Sequence, residues 1–198
     1  MGNIDRRLDL IKDKIHEETF IDGRGLGNEL SFYIFDYDPK DELKVRDHVD
    51  YLINDYFKAP HHNRRIIEFN LYDMFLEIAK EKNIYNQIFK MEEKEGKEFL
   101  YRALTTFARP EIFLEKIKKE IGDHNVLFIT GVGQIYPIVR THNILNNLQD
   151  ILEDKTPVIL FYPGQYNEQD LQLFNKLEAE NYYRAFRLVD DFKEEQFW

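Results

Sequence analysis

Ile4, Leu8, Ile11 and Ile15 recur every three or four residues, a spacing that predicts an amphipathic helix over about residues 3–18. After a loop with three glycines, Asp22–Glu29, the pattern changes. Nearly every position from Leu30 to Phe35 is apolar, which predicts a central strand covered on both faces. Helical spacing returns at Val45, Val49, Leu52, Ile53 and Tyr56. Arg64–Leu71 reads as a second strand, feeding a helix through Met74, Phe75 and Ile78. Residues 84–121 read as helical, with Pro110 at a first helical position and Gly122 just past the last turn. Two short apolar runs follow, Asn125–Thr130 and Pro157–Gly164, each predicting a buried strand. Between them Gly131–Leu152 reads as a turn and a helix, with Pro137 in the helix's first turn. Asn167–Glu180 reads as one more helix and Asn181–Val189 as a final strand.

Alternating strands and helices with continuously apolar strands predict an α/β fold: a mostly parallel sheet of about five strands between helical layers. The economical organisation is a single α/β domain over 1–198. It carries an N-terminal amphipathic helix and loop over 1–22 and a helical insertion over 84–121.

Composition narrows the function. Hydrophobic residues make up 43% of the chain, enough for a packed core. No apolar run approaches the roughly 18–20 residues of a membrane-spanning helix, and the charged N-terminus lacks the apolar centre of a signal peptide. The absence of cysteine excludes disulfides, thiolate metal sites and cysteine nucleophiles, and fits a cytoplasmic location. A formal charge of −10 disfavours gripping nucleic acid by bulk charge, because that affinity comes from clustered Lys and Arg. Protein partners are the expectation.

Two acids stand at the end of the first strand, Asp36 and Asp38. Asp38 precedes Pro39 and has Asp41 three positions on, which is how a helix N-terminus is written. Asp36 lies two residues too early to cap that helix. A pair of acids spaced by one residue after a buried strand resembles the haloacid-dehalogenase pattern, whose acids bind magnesium. Thr130 and Asp190–Asp191 resemble two of that family's other motifs. Pro39 and an immediate helix depart from the flexible loop which that family places here, and no lysine stands in an equivalent context. This magnesium-dependent phosphohydrolase reading is an alternative.

Thr130–Pro137, "TGVGQIYP", lies between a strand and a helix, where phosphate-binding loops belong. It lacks both the third glycine, replaced by Tyr136, and any Walker lysine. Gly131 and Gly133 therefore read as turn residues. On the next helix Arg140, Asn143, Asn147 and Asp150 form a polar stripe, the expected wet face, while His142 and Gln149 fall in the apolar arc. His142 reads as a hydrogen-bonded core histidine rather than a ligand. "HHNRR", His61–Arg65, is the one compact basic cluster. With the Arg140 stripe it supports a second alternative, a nucleic-acid-binding subunit. Phe197 and Trp198 end a charged tail and read as a docking pair. No nucleophile elbow or His-x-x-x-His pair occurs, so no catalytic residue, metal ligand or cofactor is expected.

Three stretches carry a family likeness: Gly25–Val49, Leu127–Gln149 and Pro157–Phe174. Together they resemble the BrxB family, a small component of the BREX (bacteriophage exclusion) defence systems. The resemblance implies an accessory role beside a methyltransferase, a large ATPase and the alkaline-phosphatase-like protein PglZ, with PglZ as the direct partner. It carries no active-site residues to this chain. The expected function is a non-enzymatic adaptor that meets nucleic acid only through the complex. Its expected partner-binding residues are Asp36, Asp38, Gly131, Gly133, Arg140, Asn143, Tyr162, Gly164, Phe197 and Trp198, at the carboxyl ends of the strands and in the tail.

Overall fold

The computed structural model of the chain describes residues 3–22, 31–59, 61–148, 151–152, 156–177, 180–181 and 185–191. In chain order the helices are α1 (Asn3–His16) and α2 (Glu18–Asp22), followed by strand β1 (Phe32–Tyr37) and helix α3 (Glu42–Tyr51). A 3-10 turn, Pro39–Asp41, starts α3, and a wider π segment, Leu52–Tyr56, prolongs it. Strand β2 (Ile66–Asn70) leads into four helices, α4 (Leu71–Glu81), α5 (Tyr85–Glu95), α6 (Lys97–Phe107) and α7 (Pro110–Glu120). Then come β3 (Val126–Thr130), α8 (Val132–Ile135), α9 (Thr141–Leu148), β4 (Val158–Tyr166), β5 (Asp170–Leu173), β6 (Glu180–Asn181) and β7 (Ala185–Arg187).

The five strands of the main sheet run in the order β2-β3-β4-β1-β7, and every neighbouring pair is parallel. Strands buried on both sides are nearly continuously apolar, as β1 is except for Asp36, β3 except for Thr130, and β4 over Val158–Tyr162. Phe32, Ile34, Leu127, Ile129 and Leu160 face one layer, built by α4, α7, α8 and α9. Tyr33, Phe35, Phe128, Ile159 and Phe161 face the other, built by α1, α2, α3 and the π segment. The chain leaves β1 through α3 on the second layer and leaves β3 through α8 on the first. Where connections part to opposite faces a crevice opens at the carboxyl ends of the strands, here beside β4.

Two helical expectations are corrected. Asn167–Glu180 is not a helix: β4 runs on to Tyr166, turns, and pairs antiparallel with β5, which pairs in turn with β6. The Asn167 side chain accepts from the backbone N–H of Gln169 (3.0 Å) and Asp170 (2.7 Å), so the group that starts a helix elsewhere closes a turn here. Positive φ at Glu168, Phe174 and Asn175 is incompatible with a helix through them. The helix expected within Gly131–Leu152 is two, broken at a cis Tyr136–Pro137 bond, so Pro137 lies between α8 and α9 and not in a first turn. The final strand is shorter than expected, with only Ala185–Arg187 pairing to β1.

Candidate functional site

Asp36 sits at the carboxyl end of β1 and is 6% exposed. Its carboxylate accepts from Arg7 Nη2 at 2.9 Å, from Arg187 Nη1 at 2.6 and 2.8 Å, and from the Tyr166 backbone N–H at 3.0 Å. Arg7 also donates to the Val189 carbonyl, pairs with Asp191, and lies over the Phe35 ring. One carboxylate therefore ties α1, β1, β4 and β7 together. A buried charge needs such partners, and two guanidiniums supply them. A divalent cation approaching this carboxylate would have to displace both. Among the described residues no group of three or more His, Asp or Glu is placed to hold a metal ion.

Asp38 is the N-cap its sequence predicts. Its side chain accepts from the Lys40 backbone N–H at 3.1 Å and from Lys40 Nζ at 3.0 Å. Those two hydrogen bonds hold its carboxyl below the ordinary value.

The glycines after β3 are explained by the chain itself. Gly131 adopts a left-handed φ of +71°, and a Cβ there would fall 2.1 Å from Asn70 Oδ1. That oxygen already caps α4, accepting from the N–H groups of Tyr72 and Asp73. A Cβ on Gly133 would meet the Phe174 ring at 2.8 Å. Phe174, brought in by the unexpected β4–β5 hairpin, thus covers the loop where a phosphate would approach. Gly164 lets the same hairpin close, since a Cβ there would lie 2.1 Å from the Gln172 carbonyl.

Two cavities of about 370 Å³ each open at this edge, on opposite faces of the sheet. The first has a floor of Val132, Val139, Tyr162 and Leu173, with Arg140 and His142 at its side. Arg140 and Asn143 are exposed, and His142 is half-buried. The second is acidic. Glu42, Asp47, Asp50, Glu68 and Asp73 line it with Arg46. Burial pushes the Glu68 carboxyl up, partly countered by the Thr130 hydroxyl that donates to it, and Asp73 and Asp50 push it further up. Sequence reasoning missed this cleft. Its one signal is Glu68 itself, a lone acid inside an otherwise apolar strand.

The remaining candidates lie elsewhere. His62 packs at a tilt against His61, His16 and Tyr56 at the opposite, amino end of the sheet. Arg64 donates to the Ile15 carbonyl and Arg65 pairs with Asp123, so both hold neighbouring segments. Asn143 and Asn147 form the wet face of α9 as expected. Gln149, Asp150, Phe197 and Trp198 lie outside the described residues.

The sheet with its covered loop and locked aspartate has sequence relatives. A family profile described as "BREX protein BrxB" matches residues 67–188. The chain belongs to the BrxB family. A relative from Bacillus cereus (strain H3081.97), itself named "BREX protein BrxB", is 40% identical over 198 residues, covering 96% of this chain and 100% of the relative. Another of the same name from Escherichia coli O9:H4 (strain HS) is 32% identical over 190 residues, covering 95% and 92%. No solved structure matches. The family's profile spans β2 to β7 and so takes in Glu68, both glycines of the covered loop, Arg140, Tyr162 and Arg187. No helix among the described residues is long and apolar enough to cross a membrane.

Proposed function

We propose that this protein is a non-catalytic adaptor subunit of a BREX phage-defence assembly, working in the cytoplasm and docking directly on a PglZ-like component. Membership in the family supports the assembly. The adaptor role rests on Asp36, the residue best placed by sequence to do chemistry, whose carboxylate is occupied by Arg7 and Arg187. The docking edge is the carboxyl end of the sheet, where Arg140 and Tyr162 line the first cavity and Asn143 and Asp38 stand exposed. Phe197 and Trp198 are a second contact. The acidic balance suits a protein partner, with the methyltransferase and ATPase as further subunits and nucleic acid met only through them.

Copurification with the PglZ-like subunit tests this reading. Arg140→Glu is expected to weaken recovery of the pair, whereas Lys58→Glu, at the far end of the sheet, is expected to leave it intact. Magnesium-dependent cleavage of a phosphoester by the purified protein alone would overturn the adaptor in favour of a phosphohydrolase. Steeply salt-dependent binding to DNA or RNA would overturn it in favour of a nucleic-acid-binding subunit.

A further inference from the structure

Among the described residues, the α5–α6 hairpin carries most of the large hydrophobic side chains left exposed. Each helix has 11 residues, a single glycine (Gly96) joins them, and neither contains a buried residue. Ile88, Leu104 and Phe107, at the base, pack against the core. Nearer the tip, Phe89 is 57% exposed, Phe99 47% and Tyr101 45%. These are three of the five large hydrophobics that stand exposed among the described residues. Met91 and Leu100, beside them, are only half-covered. Two helices of about 16 Å, at 1.5 Å per residue, with aromatic rings in water, lack the second layer that helices need to bury an apolar stripe.

Charge indicates what supplies that layer. Residues 85–107 hold four Lys or Arg and four Glu, so the hairpin is neutral and the whole formal charge of −10 lies outside it. Two copies of so acidic a chain repel each other across most of their surfaces. They approach with the least penalty at the hairpin, whose formal charge is zero, under the two-fold symmetry usual for pairs of identical chains. Two antiparallel helix pairs then close as a four-helix bundle.

We propose that this hairpin is a self-association surface through which two copies of the chain form a two-fold dimer. The bundle would bury Phe89 or Phe99 at its centre, and the acidic bodies would stand apart on either side. The proposal does not rest on the adaptor reading.

Sedimentation of the intact protein across micromolar concentrations tests it, with wild type compared against Phe89→Glu, Phe99→Glu and Tyr101→Glu. These side chains are exposed, so the variants are expected to keep the wild-type circular dichroism. Wild type is expected to dimerise, and at least one variant to weaken that dimer about tenfold or more. Raising salt from about 50 mM to about 500 mM is expected to tighten the dimer by screening the bodies. A wild type that stays monomeric overturns the proposal, as does a dimer that none of the variants weakens. A dimer loosened by salt overturns it too, because the contact would then be a charged one. Monomeric wild type whose variants lose copurification with another BREX subunit gives the surface to a different protein.

Discussion

In the sheet body even charged side chains are buried, whereas in the α5–α6 hairpin even aromatic ones are exposed. Arg7 and Asp36 lie in the interior with side-chain exposures of 5% and 8%, held by each other and by Arg187. The body has closed around this ion cluster. The hairpin has the reverse economy: its polar groups are hydrated and its apolar ones are left over. A substitution among the buried groups of the body should therefore be read as stability, and one at the exposed rings of the hairpin as association.

The largest break in that contrast is Asp36→Ala. It removes the acceptor shared by Arg7, Arg187 and the Tyr166 N–H, and leaves buried guanidinium charge uncompensated. Breaking a buried pair in this way costs about 3–5 kcal/mol, a large share of a typical domain's stability. Urea denaturation should report it as a fall in midpoint with an unchanged slope. Arg187→Ala is expected to cost less, since Arg187 is the more exposed partner at 17% and Arg7 still holds Asp36. Equal loss in both would mean that the cluster acts through Arg187 alone.

Next comes Gly131→Ala. It places a methyl group on a left-handed residue and drives it into Asn70 Oδ1, at a combined cost of about 2–3 kcal/mol. Asn70→Ala alone loses the α4 cap, about 1 kcal/mol. Because the two share one contact, the double variant should be less unstable than the sum of the singles, which a double-mutant cycle of denaturation free energies reads directly. Additive losses would show that the glycine is required by its backbone conformation and not by the asparagine.

These two sites also mark where sequence was legible. Asp38, Pro39 and Asp41 announce a helix start because capping is local: the groups that satisfy it lie within three residues. The apolar runs of β1, β3 and β4 were equally plain, since burial on both faces leaves no other composition. Asp36 was opaque, because its partners lie 29, 130 and 151 residues away. The β4–β5 hairpin was misread for a related reason. Leu171, Leu173, Phe174 and Leu177 satisfy either period, and only pairing with Gly164–Tyr166 selects the strand. Beyond Glu68 itself, its strand carries no local sign of the cleft, because α3, which lines the cleft with Glu42, Asp47 and Asp50, comes from an earlier part of the chain.

That cleft gives a smaller effect, with a definite sign. Burial raises the folded-state affinity of Glu68 for its proton, so the folded chain binds more protons than the unfolded one just above the ordinary Glu value. Stability contributed by this residue must then fall as pH rises through that window, and recover on acidification toward the ordinary value. Glu68→Gln keeps an acceptor for the Thr130 hydroxyl while removing the titration. Its denaturation midpoint should exceed that of wild type above the window and converge with it below. A midpoint difference that ignores pH would remove Glu68 from the account.

The smallest effect is the most discriminating. Phe99→Glu replaces an aromatic ring by a charge, a change that in the body would rank with the worst. In the hairpin the ring belongs to neither core cluster and is 47% exposed, and surface substitutions stay within about 0.5 kcal/mol. Thermal denaturation of dilute protein, where association is absent, should barely move. At high concentration the two proteins should separate, because a partner that binds only the folded chain raises its apparent stability with concentration. A midpoint that drops in the variant even at high dilution would mean that the ring is already buried within its own chain, and the contrast between body and hairpin would dissolve.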